Sequence, residues 1–136
     1  MDRRFIKSIF KTLAIFQALA LAACSKAADQ PALDTEAPAI HVIAPLENAI
    51  FPKGSLAPIT IEFADNLGMH AYYIYMMDES TGQPSLVEKK HIHTKNWKVE
   101  QQFLIPEDAI GPFRLDVEAV DHEYNTARMS IPITVE

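Results

Sequence analysis

From residue 59 onward, apolar and polar side chains alternate with the period of half-buried β-strands. Ile59, Ile61 and Phe63 share one face, and Thr60 and Glu62 the other. Trp97, Val99, Gln101, Phe103 and Ile105 alternate with Lys98, Glu100 and Gln102. Phe113, Leu115, Val117 and Ala119 alternate with Arg114, Asp116 and Glu118. Met129, Ile131, Ile133 and Val135 alternate with Ser130, Pro132 and Thr134. Pro132 has no N–H for a ladder, so this last strand is expected at an edge or with a bulge.

Three more strands are expected. Ala39 to Ala44 opens the domain. Met69 to Met77 is apolar on both faces and reads as a central strand. Leu86 to His93 is more polar and reads as an edge. Turn chemistry separates the runs at Pro52-Lys53-Gly54, Asp65-Asn66-Leu67-Gly68, Ser80-Thr81-Gly82, Thr94-Lys95-Asn96 and Pro106 to Gly111. No segment has helical periodicity beyond a turn at Glu107 to Ala109. About seven short strands in ~100 residues predict an all-β, immunoglobulin-like β-sandwich spanning residues 38–136.

The first 37 residues follow another logic. Arg3, Arg4, Lys7 and Lys11 precede an apolar run from Thr12 to Ala23. That run falls short of the roughly 20 residues of a membrane-spanning helix. Small residues then lead to Cys24, the only cysteine, so no internal disulfide can form. A basic start, an apolar stretch and small residues make an export signal over residues 1–23. Leu21-Ala22-Ala23-Cys24 resembles the lipobox of bacterial lipoproteins. The resemblance implies cleavage before Cys24, lipidation of its sulfur and acylation of the new amino terminus. Residues 24–37, rich in Ala, Asp, Gln and Pro after the cysteine, read as the lipidated residue and its tether. The expected location is a bacterial cell envelope, anchored to the outer membrane. In Bacteroidota-like lipoproteins, surface export goes with an acidic tract after the cysteine. Ser25-Lys26-Ala27-Ala28 lacks one, which favours the periplasmic face.

Charge narrows the partners. The leader holds four of the 12 basic and one of the 18 acidic residues, leaving 8 against 17 and a net charge of −9. Nucleic acid, which demands a basic patch, is excluded as a partner. The membrane link is expected to be the lipid on Cys24, with a further protein of the envelope as a candidate partner.

A second resemblance covers residues 34–136. Asp34-Thr35-Glu36-Ala37-Pro38, a strand, then Pro45 and Gly54 is similar to the opening of bacterial Ig-like modules. Gly111-Pro112-Phe113-Arg114-Leu115-Asp116-Val117-Glu118-Ala119-Val120-Asp121, then Asn125, resembles their closing pattern G-x-Y-x-L-x-V-x-A-x-D-x-x-G-N. Phe113 stands in the place of Tyr, and Tyr124 in the place of Gly. With His91 and His93, the chain is also similar to a lipidated Ig-like family of Bacteroidota. These resemblances imply a fold and no activity.

Enzyme signatures are missing: no Gly-rich phosphate loop, no Gly-x-Ser-x-Gly and no His-Glu-x-x-His. The domain is therefore expected to be a non-catalytic binding or accessory module. Two surfaces stand out. His70, His91, His93 and His122, with Asp65 and Asp121, fall at three turns that emerge at one end of such a sandwich. His91 and His93, two residues apart on a strand, would face one ion together. Imidazole with carboxylate suits zinc, copper or nickel, which makes periplasmic metal binding the alternative function. No cofactor is required by the fold itself. The bland alternative is that the histidines are solvated and that Asp65 and Asp121 cap loop amides. His41 lies apart on the first strand. The other surface is Tyr72, Tyr73 and Tyr75, a candidate partner patch if one face of their strand is open. Trp97, in phase with Val99 and Phe103, is expected in the core rather than on a sugar-binding platform.

Overall fold

The computed structural model describes residues 33–136. Cys24, the expected signal segment and most of the expected tether lie outside the described residues. Residues 33–136 form an Ig-like β-sandwich of eight strands: β1 Ala39–Ala44, β2 Ala49–Phe51, β3 Leu56–Ala64, β4 Met69–Asp78, β5 Gln83–His91, β6 Asn96–Leu104, β7 Gly111–Asp121 and β8 Thr126–Val135. One sheet has the order β1-β3-β6 and the other β2-β8-β7-β4-β5. All pairings are antiparallel except β2 with β8, which run parallel over three residues.

The alternating positions meet between the sheets. Ile59, Ile61 and Phe63 of β3 and Val99 of β6 face Tyr72, Ile74 and Met76 of β4 and Phe113, Leu115 and Val117 of β7. Phe63 and Tyr72 stack with ring centroids 5.0 Å apart. As expected, β4 is central and β5 is an edge. The eighth strand, β2, has only three residues and no alternation of its own. It exists because β8 offers it a ladder.

That ladder also refines the reading of Pro132. The carbonyl of Pro132 accepts from the Asn48 amide at 2.7 Å. Pro132 sits just before the β2 pairing, which starts at Ile133. Its missing donor therefore falls where the partner strand begins, and β8 has no β2 partner from Thr126 to Pro132.

Two aromatic expectations need correction. Tyr72 is not part of an exposed patch: it is fully buried, 0% exposed. Its hydroxyl donates to Glu88 Oε1 at 2.9 Å and accepts from Trp97 Nε1 at 3.3 Å, while Gln101 Nε2 donates to Glu88 Oε2 at 3.1 Å. Burial first, and then the Glu88 carboxylate, push the Tyr72 phenol up to about 12. It stays protonated and keeps donating. This network bridges β6 and β5, the free edges of the two sheets on one side of the sandwich. Trp97 belongs to that bridge and is only half-buried, with Lys90 Nζ 4.3 Å from its ring. Tyr73 and Tyr75 do point outward. Ion pairs lie along the same face, Arg114 with Glu79 and Asp116 at 2.8 and 2.7 Å and Arg128 with Glu118 at 2.7 Å, and break up the apolar surface.

The difference between core and seam is measurable. Phe63→Ala is expected to cost about 3–5 kcal/mol, the range for emptying a large aromatic site. Trp97→Ala is expected to cost less, because Trp97 is only partly buried and packs at the margin of the core. Denaturant unfolding of both variants checks the order.

Candidate metal centre

Three connections converge at the end of the sandwich where β3 meets β4, β5 meets β6 and β7 meets β8. The β3–β4 turn is shaped by Asp65, whose Oδ1 accepts from the amides of Leu67 (3.1 Å) and Gly68. Gly68 has φ +137, a region that only glycine enters freely. The β7–β8 turn is shaped by Asp121. Its Oδ1 accepts the Asn125 amide at 2.8 Å and its Oδ2 the Asn125 side chain at 2.6 Å.

A bulge aims the first imidazole. Met69 pairs with Asp121 and Ala71 with Val120, so His70 is an extra residue in β4. Bulges are a recurring means of re-aiming a side chain at the rim of a sheet. The His70 carbonyl accepts the Ile92 amide at 3.0 Å, which draws the end of β5 alongside.

The other three expected histidines gather around His70. Its ring centroid lies 4.8 Å from that of His91, 6.2 Å from His93 and 5.3 Å from His122. The His93 and His122 rings are 5.1 Å apart. Ring nitrogens of His70, His93 and His122 all lie within 4.8 Å of one another. His91 is outside that ligand triad. The i, i+2 pairing of His91 with His93 fails because β5 ends at His91. Past the strand end the alternation no longer governs which way His93 points. His41 lies elsewhere, 3.9 Å from Glu62 across β1 and β3.

Asp65 and Asp121, expected among the ligands, are not in this triad. Both accept loop amides, and Asp121 turns inward, 0% exposed, toward Asp34 and Glu123. The reason is parity: Asp121 continues the inward row Phe113, Leu115, Val117, Ala119.

The hydrogen bonds assign the protons. His122 Nδ1 lies 3.0 Å from the Gly68 carbonyl, which can only accept, so Nδ1 carries hydrogen. In the neutral ring His122 Nε2 is then a bare lone pair, and His93 Nδ1 donates to it across 2.9 Å. Gly68 thus fixes the ring and tautomer of His122, as outer partners of metal-binding histidines do.

Burial first, then repulsion from His91, His122 and His93, lowers the His70 pKa below 6.5. Sequence reading missed Tyr124 and Gly68. Tyr124 adopts φ 65, the left-handed conformation of the glycine it replaces. Its ring centroid is 6.2 Å from His70, and the residue is 77% exposed. The aromatic at a motif glycine was the signal that could have pointed to it.

No family model and no curated protein matches the chain. Solved structures of similar shape do exist. A superoxide reductase (neelaredoxin) from Ignicoccus hospitalis aligns with TM-score 0.54 at 10% identity, over 74% of this chain and 81% of that one. A Niemann-Pick type C2 protein from the Japanese carpenter ant aligns with TM-score 0.51 at 9% identity, over 76% and 96%. OgpA from Akkermansia muciniphila aligns with TM-score 0.52 at 13% identity, over 75% of this chain and 29% of that one. At such identities these likenesses show the sandwich fold alone.

The crowded imidazoles predict a pH response. His70 has a folded pKa below its unfolded value near 6.5, so below that pH the unfolded chain binds more protons. In metal-free protein, stability is expected to fall as pH drops through 6.5 toward 5. His70→Asn should flatten the slope. Thermal unfolding across this range checks both.

Proposed function

We propose that this chain is a lipid-anchored, non-catalytic metal-binding module of a bacterial cell envelope, facing the periplasm. The observation that carries the metal reading is the meeting of His70, His93 and His122 nitrogens within 4.8 Å. Three neutral imidazoles suit a borderline ion: zinc, copper or nickel. His91, with its ring 4.8 Å from His70, is near enough to offer a fourth nitrogen after a rotamer change. A water would serve in the same place.

The chain's own residues set the terms of binding. His122 Nε2 is already unprotonated and aimed by Gly68. His93 donates its Nδ1 hydrogen to that lone pair, so it must swing away or change tautomer before both rings can ligate. In tetrahedral zinc sites ligand nitrogens stand about 3.3 Å apart, close to the present spacing of 2.9 Å. His70 resists protonation, which keeps its lone pair available in mildly acidic surroundings. His93 and His122 are exposed, so an ion would have ready access. A site drawn from three loops exists only in the folded state, so binding stabilises the fold.

Added zinc, copper or nickel is expected to raise the unfolding temperature. The gain is about 2.7 kcal/mol at a hundredfold excess over Kd. His93→Ala with His122→Ala should abolish it, His41→Ala should not, and the effect should weaken at about pH 5.5. No shift with any of the three ions, or a shift that survives the double substitution, returns the histidines to a solvated rim.

The anchor is supported by the basic leader, the apolar run and Leu21-Ala22-Ala23-Cys24. Each buried acyl CH2 contributes about 0.8 kcal/mol, so several chains hold firmly. Cys24→Ala is expected to block processing or release the protein from membranes. Unchanged mature mass and detergent partitioning would count against lipidation.

A further inference from the structure

A second cluster at the same end has different chemistry. Asp34, just before β1, is 7% exposed, and Asp121 is 0% exposed. Carboxylate oxygens of Asp34, Asp121 and Glu123 all lie within 4.8 Å of one another. None of the three is in an ion pair with Lys, Arg or His among the described residues. Packing carboxylates together away from water without a cation is costly.

The partners of Asp34 sharpen the problem. Its Oδ1 accepts the Glu36 amide at 3.0 Å and Asn66 Nδ2 at 3.1 Å. Its carbonyl accepts Asn125 Nδ2 at 3.0 Å. Its Oδ2 is sealed from solvent with no donor in reach among the described residues. A sealed carboxylate oxygen without a donor normally signals an unseen partner. The Asp121 oxygens are already held by Asn125, so the shape of the pocket does not depend on that partner.

We infer that Asp34, Asp121 and Glu123 hold a calcium ion that clips the segment entering β1 to the β7–β8 turn. Oxygens about 2.4 Å from one calcium ion lie at most about 4.8 Å apart, and the three carboxylate oxygens fall within that limit. Carboxylate oxygens suit a hard cation, and calcium tolerates an irregular shell completed by water, whereas magnesium demands a near-ideal octahedron. The donors are separate from the imidazoles, so this site stands or falls independently of the transition-metal centre. Its effect is mechanical. Asp34 lies ten residues after Cys24, so the clip fixes where the tether leaves the sandwich.

The test uses the full chain in detergent after chelation, with calcium as ligand and terbium(III) as a displaceable luminescent probe beside Tyr124. Calcium is expected to raise the unfolding temperature and displace terbium. Both effects should persist when His93 and His122 are replaced by Ala. Asp34→Asn should weaken calcium affinity at least about tenfold, since ligand charge sets affinity in such sites, while leaving the zinc response intact. Should Asp34→Asn fail to fold, Glu123→Gln, at an exposed position, must still weaken calcium affinity. Unchanged affinity in Glu123→Gln, or a calcium shift that survives in a folded Asp34→Asn, overturns the site. So does an absent calcium shift in the parent protein.

Discussion

The buried carboxylate of Asp121 is the constraint on which the loop end depends. It ends the inward row of β7, where every earlier member is apolar. A charge there is tolerable only if it is bonded, and Asn125 supplies two donors, one from the backbone and one from the side chain. Those bonds close the β7–β8 turn tightly enough to force Tyr124 into the left-handed region, at a cost of roughly 1–2 kcal/mol. The same turn sends His122 to the imidazole cluster and Glu123 to the carboxylate cluster. A single buried residue thus sorts its neighbours into two donor sets of opposite hardness.

The imidazole cluster is held by backbone as much as by side chains. The extra residue in β4 turns His70 to the rim, and its carbonyl recruits Ile92. The Gly68 carbonyl orients His122, and the Gly68 amide in turn binds Asp65. Asp65 therefore acts on the histidines through the loop, without joining them. Four imidazoles gathered this closely repel one another once protonated. Burial and that repulsion lower the His70 pKa and favour its neutral ring, the form a transition metal requires.

Much of the sandwich was legible because alternation is a local signal and β3, β6, β7 and β8 alternate cleanly. Strand β2 was not, since three residues carry no period and its pairing partner lies more than 80 residues away. The convergence of the histidines was legible from connectivity: alternate turns of a sandwich share an end. The choice among them was not. It turned on where β5 stops and on the bulge at His70, neither of which leaves a mark in composition. The same bulge hid the facing of Tyr72. Ala71 to Met77 is apolar throughout, so only a known register separates Tyr72, Ile74 and Met76 inside from Tyr73, Tyr75 and Met77 outside. Trp97 was in phase with the core, but its strand is the free edge of the small sheet. Phase alone does not report how much of an edge strand is covered.

The position of Asp34 bears on what anchoring would do. The expected tether ran to residue 37, yet Asp34 is already buried, bonded to Asn66 on one loop and Asn125 on another. Asp34 therefore belongs to the folded domain and not to the tether, and the chain enters that domain at the end that carries both donor sets.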